Sequence, residues 1–369
     1  MRIGINLLPY REVAGIVIYI HNLLQNLEKI DQEDDFFIFI GKNPLTDLKF
    51  NYKNFHYVKT SIDSYRKIKR VLYEQLVFPF RLKKYKIDVL FNPSVSGPIF
   101  WPGKKIATIH DCAYDRFKEF DSLRTKIYFK LMLYGTTRLF STIITDSNFS
   151  KEELIKIYKT NSQKIKVVYG AAPDLPEVKE EFIKKTLNKF KIEKPYFLYI
   201  GSSRPRKNLS GLIKSFKIFR EKGFDYLLVI GGRKDKRFLD LEREILDNQL
   251  EGKVILTDTL SREEVSSLYK RAKALTFPSF YEGFGLPVLE AQSLGIPVLT
   301  SNISSLPEVG GDSVLYVNPY NIEEIAKGME KIAFDENLRQ DLIQKGYENI
   351  KRFSWEKSAK QLLKLFYSL

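Results

Sequence analysis

The sequence predicts an α/β protein made of two doubly wound, Rossmann-like domains. Three observations carry that prediction. Short apolar runs alternate with amphipathic helical patterns along almost the whole chain, and the alternation restarts after a proline-bearing stretch at 170–195. The length, 369 residues, also exceeds what one hydrophobic core usually holds.

In the first half, the apolar runs at 3–5, 36–40, 89–91, 106–109, 143–145 and 165–168 read as buried strands, with helical patterns at 16–28 and 66–84 between them. Ser150-Lys151-Glu152-Glu153 has the form of a capping box opening the helix after the strand at 143–145. In the second half the strands fall at 197–200, 227–230, 254–256, 275–277, 298–300 and 314–317, and Ser261 to Glu264 forms a second capping box. Alternation of this kind gives parallel sheets covered by helices, with the ligand crevice at the carboxyl ends of the strands. The expected domains are 1–170 and 171–352, the second including a linker at 171–195.

Composition narrows the function. Apolar residues make up 44% and charged residues 28%, which is globular rather than disordered. The 60 basic against 45 acidic side chains leave +15, which attracts nucleic acid, an anionic lipid surface or a phosphorylated ligand where it is not simply spread over solvated lysine faces. A single cysteine, Cys112, excludes an internal disulfide, and three histidines argue against a zinc site. The N-terminus, MRIGINLLPY, reads as a strand entering a loop, and no apolar run approaches the roughly 20 residues that cross a bilayer. The chain is therefore expected to be cytoplasmic, at most peripheral on the inner face of a membrane.

Four loops carry candidate chemistry. In YEGFGLPVLEA, at 281–291, Glu282 and Glu290 flank a glycine turn, Gly283-Phe284-Gly285-Leu286, and Pro287 suits the first turn of a helix. A helix N-terminus with glycines before it is built to receive phosphate, while the carboxylates suit sugar hydroxyls, which donate hydrogen bonds. Glu290 is also favoured there by the helix dipole alone. In GSSRPRKNLSGL, opened by Gly201, the bases Arg204, Arg206 and Lys207 crowd a helix start that Asn208 is expected to cap. Cations oppose the dipole at that end, so an anionic ligand resolves the conflict. In the first half, the loop from Asn6 to Gly15 is a weak phosphate-loop candidate. His110-Asp111 ends a strand facing the crevice, though a histidine so placed is as often structural.

With these loops in place, the chain resembles the retaining glycosyltransferases of family 4, which have the GT-B fold. YEGFGLPVLEAQSLGIPVLTS is similar to that family's E-x7-E region, and SSLPEVGGDS to the segment after it. GSSRPRKNL resembles the phosphate loop of the subgroup with an Arg-Lys-Asn triplet. YEQLVFPFRLKKYKIDVLFNPS, IHD at 109–111 and TDSNFSKEEL at 145–154 resemble the same subgroup.

The resemblance implies specific roles. Arg206 and Lys207 neutralise the diphosphate of a nucleotide-sugar donor, and amides around Gly283, Phe284, Gly285 and Leu286 hold the same phosphates or the sugar. Glu282 accepts from the sugar and Glu290 from the ribose. His110 contacts the sugar from the opposite domain, and Gly201 and Gly15 let backbone approach the donor. It further implies a C-terminal helix at 353–369 packing back on the first domain, no cofactor and no metal. Two positions depart from the pattern: Ser202 stands where an arginine is common, and Ala14 replaces the first of two glycines.

Transfer is expected to follow a front-face route, the leaving phosphate taking the acceptor's proton, although a two-step route through a carboxylate nucleophile stays open. The donor is expected to carry a hexose, with GDP-mannose first and a UDP-sugar as the alternative, and the acceptor to be a glycan or lipid-linked glycan. A nucleotide-sugar epimerase, a phosphorylase and a non-catalytic nucleotide-sugar-binding protein remain as other readings. The segment 66–84 is either a core helix with solvated lysines or a basic amphipathic piece that docks on anionic lipid. Nucleic acid is not an expected partner, and the oligomeric state is open.

Overall fold

Each apolar run foreseen from the sequence becomes a strand in one of two parallel sheets. The computed structural model describes residues 1–10, 15–42, 53–117, 123–232 and 236–369. The chain divides into two units, Met1–Gly170 joined by Ser354–Leu369, and Ala171–Phe353.

The first unit holds β1 (Arg2–Asn6), β2 (Asp35–Ile40), β3 (Phe55–Lys59), β4 (Val89–Asn92), β5 (Lys104–Thr108), β6 (Thr142–Thr145) and β7 (Ile165–Val167), in the order β3-β2-β1-β4-β5-β6-β7. The second holds β8 (Tyr196–Ile200), β9 (Leu227–Gly231), β10 (Val254–Leu256), β11 (Ala274–Phe277), β12 (Val298–Ser301) and β13 (Leu315–Val317), ordered β10-β9-β8-β11-β12-β13. The order reverses between β1 and β4 and between β8 and β11. There the connections leave in opposite directions and open a crevice beyond the strands' carboxyl ends.

One strand is added and three local expectations are corrected. β3 was not foreseen: as an edge strand it buries only Phe55 and Val58 among exposed or half-exposed neighbours, so it lacks a continuous apolar run. The helix expected over 66–84 is two helices, Lys67–Leu76 and Phe78–Lys84. Pro79 has no N–H for a continuing helix and sits instead in the first turn of the second piece. The helix after β6 is capped by Ser147, whose Oγ accepts from Ser150 N at 3.0 Å; Ser150 lies inside the helix and donates its hydroxyl to His110 O. Asn208 does not cap the helix Leu209–Glu221 with its side chain, because its left-handed backbone (φ 58°) turns that side chain elsewhere. The box at Ser261 and Glu264 forms as expected.

The C-terminal helix Trp355–Tyr367 belongs to the first unit. Its buried Trp355 meets the Tyr19 ring edge-on at 5.4 Å, Ser358 Oγ donates to Tyr169 O at 2.6 Å and Tyr367 OH donates to Asp34 Oδ2 at 2.6 Å. The chain thus returns to complete its own first unit.

Candidate active site

At the reversal point of the second sheet, the loops after β8 and β11 are stitched together. Phe280 N donates to Arg206 O at 2.8 Å, and Arg206 Nη1 donates to Tyr281 O at 3.1 Å. The freed side chain of Asn208 donates to Pro278 O (3.0 Å) and Pro319 O (2.8 Å), tying three strand ends. Gly201 and Gly232 pass so closely that a Cβ on Gly232 would lie 2.0 Å from Gly201 O, so bare backbone is required there.

Between these loops Lys207 Nζ sits 2.5 and 2.7 Å from the two carboxylate oxygens of Glu282, both side chains buried, with the ammonium 5.2 Å over the Phe277 ring. Arg206 Nη1 lies 3.8 Å from Glu282 Oε2. The conflict seen in the sequence, cations at a helix start, is therefore met internally by a carboxylate from the neighbouring loop. Both cations thus meet the Glu282 carboxylate beside the start of the helix Leu286–Ser293.

Glu282 is held from behind by residues that the sequence reading did not single out. Its N–H donates to Ser304 Oγ at 3.2 Å, and the Ser305 hydroxyl is shared between Glu282 O (3.0 Å) and Phe284 O (2.7 Å). Gly285 caps the following helix at φ 118°, a conformation that favours glycine, and Pro287 stands in the first turn as expected. Glu290 points to another partner: Tyr269 OH donates to its Oε2 at 3.0 Å. Burial pushes the Glu290 carboxyl up to about 7, with the Tyr269 hydrogen bond and the charge of Arg262 pulling it part of the way back. Nothing in the sequence separates Tyr269 from an ordinary core tyrosine.

The remaining candidates lie in the first unit. Gly15 is the first residue of the helix Gly15–Ile30, and Ala14 falls outside the described residues. His110 follows β5 and is nearly buried, with Nδ1 2.6 Å from Asp146 Oδ2 and Nε2 3.0 Å from Pro93 O. At the reversal point of this sheet, Asn6 Nδ2 donates to Asn92 Oδ1 (3.0 Å) and to the fully buried Glu74 (3.3 Å), which also accepts from Ser96 Oγ (2.7 Å). Among the described residues no group of three or more His, Cys, Asp or Glu is arranged to hold a metal ion.

The buried pair makes a prediction about folding. Lys207→Ala leaves Glu282 buried without its closest cation and is expected to cost about 3 kcal/mol in urea denaturation. Lys207→Met combined with Glu282→Gln should recover most of that loss. A Lys207→Ala chain as stable as the parent contradicts a desolvated pair.

Comparison with known proteins gives the family of the chain. A family model described as Glycosyltransferase Family 4 matches residues 13–173, and one described as Glycosyl transferases group 1 matches residues 179–349. O-antigen chain mannosyltransferase B of Escherichia coli is 30% identical over 293 residues, covering 77% of this chain and 75% of that protein. O-antigen chain mannosyltransferase RfbU of Salmonella typhimurium is 34% identical over 213 residues, 58% of this chain and 56% of that protein. In fold, the chain is similar to sucrose-phosphate synthase of Thermosynechococcus elongatus, with a TM-score of 0.79 at 16% identity over 100% of this chain and 98% of that one. The two sheets are thus those of a GT-B glycosyltransferase, and the chain belongs to glycosyltransferase family 4.

Proposed function

We propose that this glycosyltransferase moves mannose from GDP-mannose to a glycan or lipid-linked glycan during assembly of a cell-surface polysaccharide, with retention of configuration and without a metal ion. Two O-antigen mannosyltransferases among its relatives support the sugar and the setting. The observation that carries the reading is the meeting of Arg206, Lys207 and Glu282 beside a helix N-terminus, with Glu290 one turn further along that helix.

On this reading the donor's diphosphate takes over Lys207 and Arg206, and the amides from Gly283 to Leu286 hold its oxygens. Glu282, released from Lys207, accepts from the sugar hydroxyls, Glu290 accepts from the ribose, and His110 serves the transferred sugar. The bond from the anomeric carbon to the phosphate oxygen breaks as the acceptor oxygen bonds to that carbon on the same face. The acceptor's proton passes to the departing phosphate. Charge grows on the leaving group, where two side-chain cations and a helix end stabilise it without rearranging solvent. No side-chain nucleophile is needed.

A membrane surface is proposed as the setting for the acceptor. The helix Lys67–Leu76 is inverted: it buries Arg70 and Glu74 and exposes Ile68 (73%), Leu72 (54%) and Leu76 (63%), four residues apart on one stripe, with Phe80 (74%) following in the next helix. Exposed Arg66, Lys67, Lys69, Lys83 and Lys84 flank that stripe, the charge complement of anionic lipid. No helix among the described residues is long and apolar enough to cross a bilayer, so the contact is one of docking.

Three measurements follow. GDP-mannose is expected to release GDP only when a glycan acceptor is present, and the folded Lys207→Met/Glu282→Gln chain should do so about 100-fold more slowly; release without acceptor sinks the transferase reading. Donor affinity should weaken as pH falls through about 7, where Glu290 gains a proton, and Tyr269→Phe should move that loss to higher pH. An affinity independent of pH across that range removes Glu290 from the ribose. Vesicles of phosphatidylglycerol should bind the chain at low salt, less so at high salt, and Leu72→Glu with Leu76→Glu should abolish binding; unchanged binding by that variant excludes this face.

A further inference from the structure

We infer that Asp146 is a positioning residue that holds His110 as an imidazolium, so that His110 enters the reaction as a fixed cation and never as a base. The inference rests on the assignment of His110 to the transferred sugar.

The geometry arises from strand register. Thr108 pairs with Ile144 across β5 and β6, so His110 and Asp146, each two residues further on, leave the same sheet edge side by side. Pro93 leaves the neighbouring strand β4 on the other side of β5. The ring is suspended between these two ends, Nδ1 on the Asp146 carboxylate and Nε2 on the Pro93 carbonyl. A carbonyl cannot donate a hydrogen bond, and neither can an ionised carboxylate, so both ring nitrogens carry protons when both bonds are made. The Tyr19 ring closes a third side edge-on at 5.3 Å, and its own hydroxyl, spent on Val168 O at 3.3 Å, is not directed to the imidazole.

Charges on every side agree with this state. Burial alone pulls the His110 pKa down, but the charge and hydrogen bond of Asp146, the Pro93 carbonyl and neighbouring Asp111 outweigh it, and the pKa is raised. Tyr19 and Tyr10, which also feel the Asp146 charge, are both pushed up by burial and stay neutral. The second carboxylate oxygen, Asp146 Oδ1, is buried with no hydrogen-bond partner, which leaves the imidazolium as its counter-charge. Asp146 also stands just before Ser147, the cap of the helix Asn148–Tyr158, where a negative side chain is favoured. A proton acceptor on His110 is therefore absent in this arrangement, consistent with the leaving phosphate receiving the acceptor's proton.

Imidazole nitrogen NMR tests the charge directly, without any sugar. The His110 signals, identified by their loss in His110→Gln, should show two protonated nitrogens at neutral pH. In Asp146→Asn, whose amide can still donate to Nδ1, the ring should become neutral at a pH lower by about one unit. In the transfer assay kcat should fall on the alkaline side as His110 loses its proton, and Asp146→Asn should bring that fall to lower pH, leaving kcat about tenfold reduced above neutrality. Asp146→Glu should restore the parent profile at least in part. A parent His110 with one bare nitrogen at neutral pH overturns the inference. So does an Asp146→Asn chain whose NMR titration moves while its kcat profile stays in place. Should no mannosyl donor be used at all, the NMR arm still decides the charge of His110, so the two readings fail separately.

Discussion

The buried contact between Lys207 and Glu282 is the constraint around which the second unit is arranged. Two ions removed from water destabilise the fold unless their partners are close and well placed, and here the ammonium reaches both carboxylate oxygens over an aromatic ring. Neither residue could be held there by its own loop alone. The reversal of strand order brings the ends of β8 and β11 together, Asn208 and Arg206 lock the loops, and Ser304 and Ser305 fix the backbone of Glu282. Such a pair is a poor source of stability for what it demands. Its sense, on the proposed function, lies in being exchangeable: a diphosphate would offer Lys207 stronger acceptors and release Glu282 to take hydroxyl donors.

The first unit solves a different problem at the corresponding edge. Its polar side chains at the strand ends are satisfied mainly by one another: Asn6 with Asn92 and Glu74, Ser96 with Glu74, His110 with Asp146 and Pro93. The network consists of amides, hydroxyls, the Glu74 carboxylate and one histidine–carboxylate pair, rather than cations gathered on a single carboxylate. The exposed apolar stripe on Lys67–Leu76 lies on the opposite side of the helix from Arg70 and Glu74, so the same short helix serves the polar network inside and leaves its apolar side chains outside.

Much of this was legible in the amino-acid sequence. Apolar runs placed every strand buried on both faces, and the glycine turn with Pro287 placed the helix that follows Glu282. Apart from the local break at Pro79 and the cap at Ser147, what escaped depends on contacts between segments distant in sequence. β3 is shaped by pairing with β2 and not by its own composition. Asn208 looked like a cap because local rules favour it there, and tertiary partners at Pro278 and Pro319 took its side chain instead. The cations at 206 and 207 announced an anion, but the sequence could not tell that Glu282 already serves as one. Tyr269 carried no signal, and Ser305 and Asp146 stood inside longer segments of resemblance without a role of their own, since each matters only through the residue it touches.

The most direct test of the central claim is a crystal structure of the chain with the nucleotide sugar that stabilises it most. Lys207 Nζ should have left Glu282 for a diphosphate oxygen, with the Glu282 carboxylate on a hydroxyl of the sugar. A bound nucleotide sugar beside an intact pair, Lys207 still 2.5 to 2.7 Å from both oxygens of Glu282, would contradict it.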